Sequence, residues 1–136
     1  MKPLKELLGC NLSCLLNKLP RVPGVYMIFI TGSRVPLYIG SSKELRYRLK
    51  KHYVYNVRPE DDILLQKLTT IFGSRRKARE FLWKYTEFTI MTCRDLRSAR
   101  LLERLLIQKY RPILNGQHAH GINAHLKVAQ VIRQLL

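Results

Sequence analysis

The chain has 136 residues, with 25 Lys and Arg against 9 Asp and Glu, for a formal net charge of +16 with histidines neutral. Its 46% hydrophobic and 9% aromatic residues supply one core, which excludes overall disorder, and no apolar run approaches the ~18 residues needed to span a bilayer. The positive surplus calls for a polyanionic partner, and its dispersal over several segments, rather than along one amphipathic basic helix, favours nucleic acid over a membrane surface. Cys10, Cys14 and Cys93 are an odd number at spacings that fit neither a disulfide scaffold nor a zinc site, so a reducing, intracellular compartment is expected.

Residues 1–20 place Leu4, Leu7, Leu8, Leu12, Leu15 and Leu16 at helical spacing. They read as a short amphipathic helical extension ended by Pro20 and Pro23, not as a secretory signal. From Gly24 the run GVYMIFI, the turn Thr31 to Arg34 and the run Val35 to Ile39 predict a β-hairpin. Ser42 is expected to cap a helix running to about His52, with Leu45 and Leu49 buried and Arg48 and His52 on a neighbouring face. Pro59, Glu60, Asp61 and Asp62 read as a helix start with acids in the first turn, continuing through Leu68. A second short helix over GSRRKAREFLW follows, capped by Ser74. Tyr85 to Cys93 alternates as a third strand, and Asp95 caps a long helix to Tyr110 that Pro112 ends. A C-terminal tail over 117–136 holds His118, His120 and His125 and a last helical segment from Asn123. The chain thus divides into a central domain over 21–116 and the two extensions that flank it.

The chemistry-bearing residues lie across these elements. Tyr26 and Tyr38 sit on paired strands, Arg48 and His52 on the helix that follows, and Glu103 is the sole acid between Asp95 and the C-terminus. On a helical wheel Glu103 falls at the edge of a Leu101, Leu102, Leu105, Leu106 stripe, where it can face a cleft. Tyr, Arg, His and one carboxylate are what phosphodiester cleavage needs: the carboxylate holds a divalent metal and the Arg stabilises charge on the phosphate.

These residues resemble a known family, the GIY-YIG nucleases. Gly24-Val25-Tyr26 matches the first tripeptide with Val for Ile, and Tyr38-Ile39-Gly40 matches the second unchanged. GSSKELRYRLKKH resembles the family helix that carries an Arg eight residues after the second tripeptide's Gly, here Arg48, with His52 one turn on as in homing members. ARLLERLLIQKYRPILN resembles the terminal helix of the nuclease module of the bacterial excision-repair incision subunit. Ser41 departs from the basic residue of repair-type members, for which Lys43 can substitute. The resemblance covers about Pro23 to Asn115.

It implies an α/β fold of the α+β type, a three-stranded antiparallel sheet flanked by helices, and a DNA endonuclease that cuts one strand per active site with Mg²⁺ or Mn²⁺. It also implies roles. Tyr26 or Tyr38 orients or deprotonates water, Arg48 clamps the scissile phosphate, His52 positions it or the base, Glu103 binds the metal and Asn115 supports the site. The substrate is duplex or branched DNA in a repair or homing setting, with targeting by a protein partner or a homodimer. Lys43, Arg46, Lys50, Lys51, Arg75, Arg76, Lys77 and Arg79 are the expected nucleic-acid contacts.

Blander readings stand beside each of these. The tyrosines could be strand packing, Glu44 could pair with Arg48 at helical spacing, His52 could be a solvated helix end, and Tyr53 and Tyr55 could pack or stack on bases. The tail histidines fit no standard zinc site. The competing functions are a DNA-binding module of the same fold that turns over weakly or not at all, and a basic RNA-binding protein.

Overall fold

A computed structural model describes residues 11–58, 61–115 and 130. The elements in chain order are α1 (Leu12–Lys18), β1 (Gly24–Ile30), β2 (Pro36–Ser42), α2 (Leu45–Tyr53), α3 (Ile63–Phe72), α4 (Arg75–Tyr85), β3 (Thr86–Thr92) and α5 (Leu96–Tyr110). The strands form one antiparallel sheet of order β2-β1-β3, so the expected fold class is the observed one. The tail histidines, Cys10 and the 1–10 part of the N-terminal helix lie outside the described residues.

β1 is central because its seven residues, GVYMIFI, are apolar on both faces and can be covered on both. Tyr26, Ile28 and Ile30 point into a core built with α1 to α4, whereas Val25 and Met27 point with Ile39 and Ala99 towards α5. The hairpin turns at Gly32, whose φ of 84° a side chain would strain. Tyr26 pairs with Gly40 and Ile28 with Tyr38, and the register slips beyond Ile28 so that Phe29 faces Pro36. Pro36 lacks a donor, so β2 begins there and not at Val35. Leu15, Leu16 and Leu19, from α1 and its end, lie in the same core as Tyr26.

Helix starts divide into those that follow the expected caps and those that do not. Ser74 accepts from Lys77 N at 3.2 Å and Asp95 from Ser98 N at 2.7 Å, as the sequence predicts. Ser42, however, ends β2 and bonds both backbone groups of Glu44 through its hydroxyl. The cap position of α2 is Glu44, without a side-chain capping bond. Asp62 is itself the cap of α3, accepting from Leu65 N at 3.0 Å, so no acid occupies the first turn. That helix also continues past Leu68 to Phe72, where Gly73 at φ 82° closes it.

The apolar stripe of α5 is narrower than expected. Ala99 is buried and Leu102, Leu106, Ile107 and Tyr110 pack around it, while Leu101 and Leu105 are 58% and 55% exposed. The small Ala99 lets the helix sit close to β1 and β2, and this fixes the rotation that leaves Leu101 and Leu105 outside.

Candidate active site

The two motif tyrosines project from the face of the sheet that α2 covers. Their ring centroids are 6.3 Å apart. Both motif glycines are sterically required. A Cβ on Gly40 would fall on the Tyr26 hydroxyl, and one on Gly24 would meet the Met91 carbonyl and lie 2.6 Å from Leu45 Cδ1. The glycines therefore admit, respectively, the Tyr26 hydroxyl over β2 and the start of α2 over β1.

Tyr26 is fully buried, and its hydroxyl lies 2.6 Å from His52 Nε2. His52 is only 3% exposed, which excludes the solvated helix end. Its Nδ1 lies 2.8 and 2.9 Å from the two carboxylate oxygens of Asp62, itself buried. Burial works to raise the Asp62 carboxyl, yet the hydrogen bond and charge of His52, with the Leu65 amide, outweigh it and hold it below its ordinary value. Asp62 was not among the site residues the sequence indicates. Its signal was only an Asp ahead of a helix, and the contact that matters crosses from α2 to α3.

Tyr38 is half-buried and lines a cleft of about 250 Å³ with Arg48, Lys51, His52, Asp61, Asp62 and Ile63. Burial first, and then the negative charges of Glu103 and Asp62, push its phenol up to about 12 against the pull of Arg48. Burial raises Tyr26 too, with Arg48 again opposing. Arg48 does not pair with Glu44, which bonds Arg21 Nε at 2.9 Å instead. Its Nε is buried and has no partner among the described residues, so the guanidinium is held beside both phenols with unspent donor capacity.

Glu103 opens on a second cleft, about 370 Å³, with Ser41, Arg100, Arg104, Ile107 and Gln108. It is half-buried and makes no hydrogen bond or ion pair with a described residue. The sequence reading passed over Arg100 and Arg104, the two cations that flank it one turn before and one residue after. The edge strand β2 separates the two clefts, with Tyr38 bordering one and Ser41 the other.

Asn115 fixes that edge. Its Oδ1 accepts from Ile39 N and its Nδ2 donates to Ile39 O, each at 2.6 Å, while Leu114 N bonds Leu37 O at 3.1 Å. A side-chain amide thus stands in for a fourth strand beside the residue that follows Tyr38.

The eight expected nucleic-acid residues separate into two groups. Arg46 Nε donates to Leu19 O at 2.7 Å, Arg75 Nη1 to Asn56 Oδ1 at 2.9 Å, and Arg79 Nη2 to the Lys51 and Tyr55 carbonyls. These three guanidiniums hold the protein's own chain, and Arg79 with Trp83 Nε1, 2.7 Å from Tyr53 O, secures the end of α2 that carries His52. Lys43, Arg76 and Lys77 are exposed, and Lys50 and Lys51 are half-buried on α2. Tyr53 is buried against Phe88 and bonds Thr86, so it packs, whereas Tyr55 is exposed beside Tyr47.

No family model matches the chain. It is 31% identical over 105 residues to the excinuclease cho of Escherichia coli, covering 77% of this chain and 29% of that protein. It is 29% identical over 100 residues to the UvrABC system protein C of Borrelia duttonii, covering 74% of this chain and 14% of that protein. The chain therefore spans less than a third of the length of either relative. Among solved structures, the GIY-YIG N-terminal endonuclease domain of UvrC from Thermotoga maritima, bound to its catalytic divalent cation magnesium, matches with a TM-score of 0.52 and 27% identity. That match covers 76% of this chain and 94% of the domain. A Tyr-to-Phe point mutant of that domain, also bound to the cation, matches with a TM-score of 0.53 and 26% identity over 77% and 94%. In sequence and fold the chain is thus similar to the GIY-YIG endonuclease superfamily.

Proposed function

We propose that this chain is a metal-dependent DNA endonuclease that hydrolyses phosphodiester bonds, one strand per active site. The observation that carries this reading is the meeting, around one edge strand, of a cleft holding Tyr38, Arg48 and His52 with a cleft holding the carboxylate of Glu103, which bonds no described residue.

Glu103 fits Mg²⁺ or Mn²⁺. Such hard cations are commonly held by one or two carboxylates, with water and substrate phosphate filling the remaining positions, and Glu103 is a carboxylate whose oxygens bond no described residue. Among the described residues no group of three or more His, Cys, Asp or Glu forms a fuller cage, which suits a site completed by DNA. When bound there, the cation would offset charge developing on the phosphate and cancel the Glu103 repulsion that raises the Tyr38 phenol.

The protein's own residues do the rest. Arg48 binds the scissile phosphate through its free donors and stabilises the pentacoordinate charge. Tyr38, which reaches the cleft where Tyr26 does not, orients or deprotonates the attacking water. Asn115 keeps β2, and so Tyr38, in place. Lys43, Lys50, Lys51, Arg76 and Lys77 contact backbone phosphates of duplex or branched DNA, so binding weakens steeply with salt. A protein partner or second copy supplies targeting, in an intracellular setting.

The test is nicking of supercoiled plasmid with Mg²⁺, Mn²⁺ or EDTA by wild type and by Glu103→Gln and Arg48→Ala. Metal-dependent nicking that both substitutions remove, with salt-sensitive binding retained by Glu103→Gln, is the expected result. Binding without nicking by the wild type would replace this reading with that of a silent DNA-binding module.

A further inference from the structure

We infer that Asp62 is a positioning residue that sets the tautomer of His52 and, through it, the direction of the buried hydrogen bond from the Tyr26 hydroxyl. The argument starts at the helix cap. The Leu65 amide donates to Asp62 Oδ1 at 3.0 Å, and the other oxygen lies 2.8 Å from His52 Nδ1. An ionised carboxylate only accepts, so Nδ1 must carry a hydrogen and donate. In the neutral imidazole Nε2 is then the acceptor, and the Tyr26 hydroxyl 2.6 Å away is its donor. With its hydrogen committed to His52, the Tyr26 oxygen offers only lone pairs to its other neighbours.

Both links thus point one way, from Tyr26 to His52 and from His52 to Asp62. The groups facing His52 agree with this direction. Tyr26 comes from β1, Tyr38 meets the ring edge-on from β2 at 6.1 Å between centroids, Arg48 and Lys51 come from its own helix, and Asp61 and Asp62 from the start of α3. Asp62 is the buried acid among them. The polarity of the Tyr26 hydroxyl, which lies behind the cleft that Arg48 and Tyr38 line, is therefore set by Asp62 acting through His52.

Asp62→Asn separates this role from capping. Asn caps helices as well as Asp, and its Oδ1 can keep the Leu65 bond. Its amide nitrogen then faces Nδ1 and donates to it, which forces the hydrogen to Nε2 and opposes the Tyr26 hydroxyl. The catalytic consequence rests on the nuclease reading above, so the tautomer is read separately, without DNA, from imidazole ¹⁵N shifts of labelled protein.

The expected result is an Nδ1–H His52 in wild type, an Nε2–H His52 in a folded Asp62→Asn, and a kcat for nicking lowered on the order of 10²-fold with KM nearly unchanged. Asp62→Asn added to His52→Gln should cost nothing further, because Asp62 acts through His52. An Nε2–H tautomer in wild type overturns the inference without any variant. An unchanged tautomer in Asp62→Asn reduces Asp62 to a helix cap and overturns it as well. A reversed tautomer with undiminished nicking overturns the effect on catalysis. A wild type that cuts nothing while Asp62 still sets the tautomer supports the chain direction and overturns the nuclease reading instead.

Discussion

The two clefts beside β2 are built on opposite principles. On the α2 side three polar side chains are already bonded in a row, Tyr26 to His52, His52 to Asp62 and Asp62 to the α3 backbone, all buried, beside Arg48. On the α5 side Glu103 stands without a bonded partner among the described residues, between Arg100 and Arg104, in a more open hollow. The first side is organised before anything binds, because buried polar groups left unpaired would cost the fold. The second keeps its capacity for ligands from outside. On the proposed function, the site takes its geometry from the first cleft and its charge from the second.

That contrast can be broken from either half. The largest effect is expected from Gly40→Ala, whose Cβ would occupy the place of the Tyr26 hydroxyl. Overpacking there costs about 1–3 kcal/mol and displaces the buried chain, so urea unfolding shifts and nicking disappears together. The two tyrosines should then respond in opposite ways. Tyr38→Phe removes a hydroxyl that bonds no described residue, leaves the unfolding midpoint nearly unmoved and lowers nicking on the order of 10²-fold. Tyr26→Phe strands the buried His52 Nε2 and costs about 1–3 kcal/mol of stability, measurable by the same urea titration.

Alkaline pH gives a milder effect. Tyr26, Tyr38 and Tyr53 are all raised above the ordinary phenol value of 10.0 by burial. The unfolded chain releases these protons near 10 while the folded chain holds them. Their contribution is therefore complete below that pH and drains as pH rises towards 12 and beyond. Thermal unfolding followed from neutral to alkaline pH should show a flat region and then a steep fall, and Tyr26→Phe should soften the fall. The smallest effect belongs to Leu105→Gln, on the solvent side of α5, which should change stability by less than about 0.5 kcal/mol.

The hairpin, the third strand and the caps at Ser74 and Asp95 were legible because each rests on local chemistry: β-branched runs, a turn glycine, a short side chain able to reach the third amide ahead. Tyr26, Tyr38, Arg48 and Glu103 stood out by order and spacing along the chain. What stayed hidden depends on contacts between elements. Asp62 looks like any acid before a helix until α3 folds back to bring it to His52. The stripe of α5 could not be read from four leucines distributed around the helix, because the small Ala99 decides which of them face the sheet. Arg79 looked like a phosphate contact and instead grips the Lys51 and Tyr55 carbonyls, since a cation near the end of α2 satisfies backbone groups left open there.

The Asn115 clasp on Ile39 carries one more consequence. An unpaired outer strand is a template on which further strands can grow, and proteins block such edges to stay free of aggregates. Here the block is one side-chain amide together with the Leu114 backbone, 76 residues along the chain from its target. A recombinant piece cut just before these residues would keep all three strands yet bare the flank of β2, and copies would be expected to stack edge to edge into insoluble material. The shortest form expected to stay soluble therefore includes that asparagine, a boundary that strand and helix limits alone would place several residues too early.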